Sequence, residues 1–203
     1  MARIRPVTAP YDDVAGPLLD AMMPAGLDPI GLFRTFVRNP TMSRAMSGWG
    51  LYELGRDLSI SRRAREIVID RTTARCGCEY EWGVHIAYFA DRVGFDAAQI
   101  RSLTHGSAAD PCWTDPAERA LIEAVDELHD RSTITDARWN ALAEHHDPAQ
   151  LLDILFLAGW YHAISYAANA AQVELEPWAP RFADVVAAPA DGSERDPVSP
   201  VRA

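Results

Sequence analysis

"SRRAREIVIDRTTARCGCEYEWGVH" runs from Ser61 to His85. It contains two helix-like segments, Arg62 to Arg75 and Cys78 onward, separated by Gly77. A glycine between two helical segments predicts a tight reversal, because glycine alone adopts the left-handed conformation at little cost. The result is an antiparallel helical hairpin. Its second arm sets Cys78, Glu81 and His85 at i, i+3 and i+7, on one helical face. Its first arm brings Glu66 opposite the middle of the second, near His85. Glu81 and His85, four apart, are close enough to share a proton. Cys78 in the first turn faces the positive end of the helix dipole, which favours a thiolate.

The rest of the chain extends this helical pattern. Asp28-Pro29, Asn39-Pro40, Asp115-Pro116 and Asp147-Pro148 each place an N-cap residue before a proline suited to the first helical position. Glu118 stands where a capping box with Asp115 wants its acid. Apolar residues follow at helical spacing, as in Leu121, Ile122, Val125 and Leu128. No alternating strand pattern appears. The expected fold class is all-α, with helices over Val14–Met23, Pro29–Arg38, Thr41–Glu53, Arg62–Arg75, Cys78–Arg92, Ala97–Leu103, Pro116–Arg131, Asp136–His145 and Pro148–Gln172. Gly94 is the expected stop of the Cys78 helix.

Composition narrows the function classes. The 203 residues are 48% hydrophobic and 24% charged, enough for one compact domain over residues 1–186. The stretch from Ala187 to Ala203, rich in Pro, Asp and Ser, reads as a disordered tail. A net charge of −10 argues against a nucleic-acid partner. The basic cluster at Ser61–Glu66 reads as a solvated helix face or as ion pairs. The helix from Pro148 is apolar nearly all round, which predicts burial on most sides, partly by another subunit. Asp153, His162 and Asn169 oppose reading it as a membrane span. The basic start, with no apolar run after it, does not read as a signal peptide, so the expected location is cytoplasmic. Three cysteines point to thiols rather than a disulfide framework.

Glu66, Cys78 twelve residues on and His85 seven beyond that resemble the pattern of the carboxymuconolactone decarboxylase-like and alkylhydroperoxidase D-like superfamily. "LFRTFVRNP", "GFDAAQI" and the "GCEYEW…H" run are similar to its decarboxylase-like branch, over roughly residues 28–180. The resemblance implies a single-domain helical bundle, homo-oligomeric, with its site beside subunit contacts. In the redox members a CxxC pair stands on this helix, with a glutamate and a histidine relaying protons to the second, peroxide-reactive cysteine. Glu66 matches the relay glutamate, Cys78 the first cysteine and His85 the relay histidine. Glu81 occupies the place of the reactive cysteine, and Tyr80 stands where a second histidine is common.

The departure leaves Glu66, Glu81 and His85 for proton transfer. Burial would raise carboxyl pKa values, and two close carboxylates push each other's apart. The leading expectation is a cofactor-free enzyme acting on a small organic acid or lactone, with Glu81 and His85 as acid and base, Glu66 orienting His85, and Cys78 as a pocket or accessory thiol. The alternatives are a thiol peroxidase using Cys78, resolved by Cys76 or an external thiol, and a non-catalytic ligand-binding or assembly protein. Tyr80, Trp82, Tyr88 and His162 are the expected pocket residues. The plain readings remain beside these: Cys78 as a small buried hydrophobe, Glu81–His85 as a helix pair, Glu66 paired with an arginine, and His162 as a satisfied core histidine. No metal is expected, since the close Cys and His spacings of a structural zinc site are missing. His105 and His129 read as surface positions.

Overall fold

A computed structural model describes residues 2–24 and 26–185, so the proposed tail lies outside the described residues. Helix α4 (Arg62–Arg75) is the axis of the fold and packs against α5 (Glu79–Val93), α6 (Ala97–His105), α7 (Pro116–Arg131) and α9 (Pro148–Ala171). Its apolar residues Ile67, Val68 and Ile69 are fully buried. Each contributes about 1.5–3 kcal/mol by leaving water. The remaining helices are α1 (Ala15–Met22), α2 (Gly31–Phe36), α3 (Pro40–Glu53) and α8 (Asp136–Ala143), and no strand occurs among the described residues.

The arginines of α4 do not form a solvated face. Arg63 pairs with Glu118 and donates to the carbonyls of Val93 and Gly94, at the C-terminus of α5. Arg71 makes a two-pronged pair with Asp126 at 2.6 and 2.8 Å and donates to the carbonyls of Ser102 and Leu103 near the end of α6. The central helix thus supplies cations to the negative ends of two neighbours. Glu118 is committed to Arg63 rather than to the capping box expected with Asp115, whose side chain caps Ala117 N alone.

Most helix starts follow the local code. Asn39 accepts from Met42 N, Asp115 from Ala117 N, and Asp147 from Ala149 N and Gln150 N. Helix α2 does not. It begins at Gly31 rather than at Pro29, and Asp28 does not cap it. Its free N–H groups are met from far along the chain: Gly31 N donates to Glu176 Oε1 at 2.6 Å, and Leu32 N to the Tyr80 hydroxyl at 2.9 Å. Long-range partners override the local signal here.

Helix α9 buries one side only. Ile154, Leu157, Ala158, Tyr161, Ile164, Ser165 and Ala168 are buried. Leu152, Phe156 and Tyr166 are exposed. Within this chain the burial on most sides that the sequence predicted is therefore absent. The helix is long and apolar enough to cross a membrane, with a mean hydropathy of 1.3 over its most apolar window. Asp153 on it is held by Tyr52 and Ser59, as a core carboxylate would be.

The α4–α5 reversal is a Schellman motif: Cys78 N donates to Thr73 O, Gly77 N donates to Ala74 O, and Gly77 has φ +60°. A Cβ at Gly77 would meet nothing within 4 Å, so its cost is conformational alone. Gly77→Ala should lower unfolding stability by about 1–2 kcal/mol. Gly48→Ala, in open space within α3, should raise it by up to about 1 kcal/mol. Urea titration of both variants checks the contrast.

Candidate functional site

The hairpin places Glu66 and His85 in contact. His85 Nδ1 lies 2.8 Å from Glu66 Oε2, and both residues are buried. The other Glu66 oxygen, Oε1, accepts from Arg65 Nε at 2.6 Å. Arg65 also donates to Leu54 O and lies over the Phe89 ring. The Phe89 ring in turn packs 5.2 Å from the His85 ring. On the far side of the imidazole, Nε2 lies 3.1 Å from the Tyr161 hydroxyl and 3.6 Å from Glu81 Oε1. Asp70, one turn beyond Glu66, is buried beside them.

The electrostatics follow from burial. Desolvation alone would lower the His85 pKa, but the charge and hydrogen bond of Glu66, joined by Glu81, outweigh it and push His85 up to about 10. At neutral pH His85 is an imidazolium, and its Nε2–H donates to the Tyr161 oxygen. Burial and the Glu66 charge raise Asp70 well above the usual carboxylate range, against the pull of His85 and Arg65. With Arg65 and His85 as cations and Glu66 and Glu81 as carboxylates, the cluster is close to neutral. That is the condition for burying so many ionisable groups. Glu53, buried at the end of α3, is raised to about 7, first by burial and then by Asp153.

Cys78 corrects one expectation. It is the N-cap residue of α5, with no side-chain cap bond, and it is fully buried. Burial pushes its thiol up to about 11 against the pull of the Glu81 backbone N–H, so the helix start does not yield a thiolate at neutral pH.

The expected pocket residues are not gathered around His85. Tyr80 donates to Glu176 at 2.7 Å and receives Leu32 N–H. Trp82 is fully buried and packs 4.9 Å from the Phe182 ring. Tyr88 packs edge-on against Trp178 at 5.1 Å. All three pack against the segment after α9. That segment comes so close that a Cβ at Gly83 would meet Pro180 O at 2.6 Å. His162 turns instead to His129 and Cys76, so His129 is not a bare surface position. The residues that do surround His85 beyond the expected set are Arg65, Asp70, Phe89 and Tyr161. Asp70 was marked by its four-residue offset from Glu66. Tyr161 carries no such mark, because the sequence of α9 is apolar nearly all round.

Glu66, Asp70 and His85 bring donor atoms within 4.8 Å of one another. They do not suit a cation, because both Glu66 oxygens are already taken by Arg65 and His85. Glu81 is the member nearest the outside. Its side chain is 10% exposed, against 4% for His85 and 0% for Glu66. Its Oε2 is buried without a protein partner.

No family model matches the chain, and no curated relative does. Solved structures do. An uncharacterized peroxidase-related protein from Silicibacter sp. TM1040 superposes with a TM-score of 0.73 at 14% identity, over 88% of this chain and 96% of that one. The debrominase Bmp8, in a variant complexed with 2,3,4-tribromopyrrole, gives 0.71 at 14% identity over 90% and 94%. A peroxidase-related protein from Ralstonia eutropha JMP134, described as an alkylhydroperoxidase AhpD core, gives 0.63 at 16% identity over 86% and 93%. The chain has the all-α alkylhydroperoxidase D-like fold.

Three of the raised pKa values belong to the buried groups in and near this cluster and make stability depend on pH. His85 is raised from 6.5 to about 10, Glu53 from 4.5 to about 7, and Asp70 upward from 3.8. Each binds its proton more tightly folded than unfolded, so each contribution is lost as pH rises. The His85 part is complete below its unfolded value and lost on the way to about 10. Thermal unfolding should therefore show Tm falling from neutral to alkaline pH. In Glu66→Gln that alkaline fall should shrink, because the charge that raises His85 is gone.

Proposed function

We propose that this protein is a cofactor-free enzyme that moves a proton on a small organic acid or lactone, with His85 and Glu81 as the working pair. The observation that carries the reading is the buried chain Glu66–His85–Glu81, at 2.8 and 3.6 Å, in which His85 is held charged. His85 carries a proton at rest. Glu81, with one oxygen near His85 and the other unpartnered, takes that proton and presents it to substrate. In a decarboxylation the bond to the leaving carboxylate breaks and carbon dioxide departs. The electron pair stays on carbon, and the carbon takes the proton from Glu81. Glu66 fixes the ring orientation of His85 and its charge. Tyr161 holds the second ring nitrogen.

The peroxidase-related neighbours keep a Cys78 thiol peroxidase as the second reading. Against it stand the burial of Cys78, its raised pKa and the glutamate at the position of the reactive thiol. The neighbour complexed with 2,3,4-tribromopyrrole supports a small ring as the kind of molecule this fold accepts.

We propose separately that the protein is a cytoplasmic homo-oligomer. Leu152, Phe156, Gly159, Ala163 and Tyr166 are all exposed on α9 and follow one another at four- and three-residue steps. That is the spacing of a helix–helix seam. With Trp49, Leu155 and Trp160, three of them (Phe156, Gly159 and Ala163) line an open apolar groove that a second copy would cover.

A panel of small carboxylated lactones and carbon acids in heavy water tests the activity, read as carbon dioxide release or deuterium incorporation. Glu81→Gln and His85→Gln should each lose about 100-fold or more in rate, and Cys78→Ser should lose little. In parallel, organic hydroperoxide should be consumed slowly by the natural protein and faster by Glu81→Cys with a dithiol reductant. Fast peroxide turnover by the natural protein that disappears in Cys78→Ser would replace this reading with the peroxidase.

A further inference from the structure

Cys76, His129 and His162 lie far apart in sequence and come from three helices. Cys76 is the C-cap of α4, His129 is in the last turn of α7, and His162 is midway along α9. Their donor atoms all fall within 4.8 Å of one another. His129 Nδ1 is 3.0 Å from His162 Nε2 and 3.8 Å from Cys76 Sγ. Around a tetrahedral zinc ion, bond lengths of about 2.0–2.1 Å to nitrogen and about 2.3 Å to sulfur set the nitrogens about 3.3 Å apart and the sulfur about 3.6 Å from each. These two spacings need to change by only a few tenths of an ångström, and the Cys76–His162 pair lies within the same 4.8 Å.

The surroundings are those of a ligand set. His162 Nδ1–H donates to Ala158 O at 2.8 Å, which fixes the tautomer and leaves the Nε2 lone pair aimed at the other two residues. The Cys76 carbonyl accepts from Asn169 Nδ2 at 3.1 Å, anchoring the end of α4 to α9. Ser165, fully buried one turn after His162, has a hydroxyl without a hydrogen-bond partner. All three candidate ligands are half-buried, so an ion has a way in from solvent. The Arg75 cation nearby is engaged by Asp126 and Asp130, which offset its repulsion.

We propose that Cys76, His129 and His162 bind one zinc-class divalent ion, with a fourth coordination position open to water or a small ligand. The Cys76 thiol proton leaves to solvent on binding. The proton that His129 Nδ1 shares with His162 moves to its own Nε2, so that both rings coordinate as neutral imidazoles. The soft thiolate and two imidazoles select zinc or cobalt over calcium or magnesium. The site joins the ends of α4 and α7 to α9. It is separate from the His85 cluster and does not depend on the function proposed for it.

Cobalt(II) titration of the full-length protein under reducing conditions is the test. Thiolate-to-cobalt charge transfer and tetrahedral d–d bands should appear and saturate at one equivalent, and zinc should displace them. Cys76→Ser should abolish the charge-transfer band, and Cys112→Ser should keep it. His162→Gln, which retains the thiol, should weaken cobalt binding by about 100-fold. Circular dichroism of each variant confirms that it is folded. A folded natural protein that shows no charge-transfer band at saturating cobalt overturns the proposal. So does a band that survives in Cys76→Ser, or one unchanged in His162→Gln.

Discussion

The structure depends on how the Glu66 carboxylate is kept inside the protein. Glu66 sits in the run Arg65–Thr73 of α4, every residue of which is buried, and has no exposed surface itself. An unpaired carboxylate there would cost several kcal/mol or would take up a proton. Arg65 and His85 neutralise it, one on each oxygen. Arg65 is next to Glu66 in sequence, but His85 reaches it only because Gly77 reverses the chain in two residues. The turn, the pairing of α4 with α5 and the charge on His85 are therefore one constraint seen at three levels. The same constraint raises the Asp70 carboxyl, which is buried beside the Glu66 charge.

The proposed function rests on that arrangement. A peroxidatic cysteine needs exposure and a lowered pKa, and Cys78 has neither. A proton-transfer pair needs one group that carries a proton at working pH and another that presents it outward. Under the proposed function His85 supplies the first property and Glu81, the most exposed member of the cluster, supplies the second. The fold is shared with peroxidase-related proteins and a debrominase. Function therefore turns on which residues stand at the hairpin rather than on the helices that hold it.

Much of this was legible in the sequence where the determinants are local. The bounds of α4 and α7 follow from their caps, Ser61 and Asp115, and from apolar residues at helical spacing. The Glu66–His85 contact follows from the Gly77 reversal and helix geometry. Long-range determinants were not legible. The start of α2 is set by Tyr80 and Glu176, which no local pattern links to Gly31. For the same reason Tyr80 turned out to be a helix cap rather than a pocket wall. Trp82 and Tyr88 were placed on the site side of α5 by spacing alone, but the segment after α9 covers the face they occupy. The thiol of Cys78 was read from the helix dipole, a fraction of a kcal/mol to about 1 kcal/mol; burial is the larger effect and has the opposite sign.

The central claim is that Glu66 holds His85 as an imidazolium at neutral pH. Nitrogen-15 NMR of histidine-labelled protein measures this directly. At about pH 8, well above the ordinary histidine pKa, both His85 ring nitrogens should show protonated imidazolium shifts. In Glu66→Gln the same ring should titrate at a lower pH. Shifts of a neutral imidazole for His85 in the natural protein at that pH, with one ring nitrogen bare, would contradict the account.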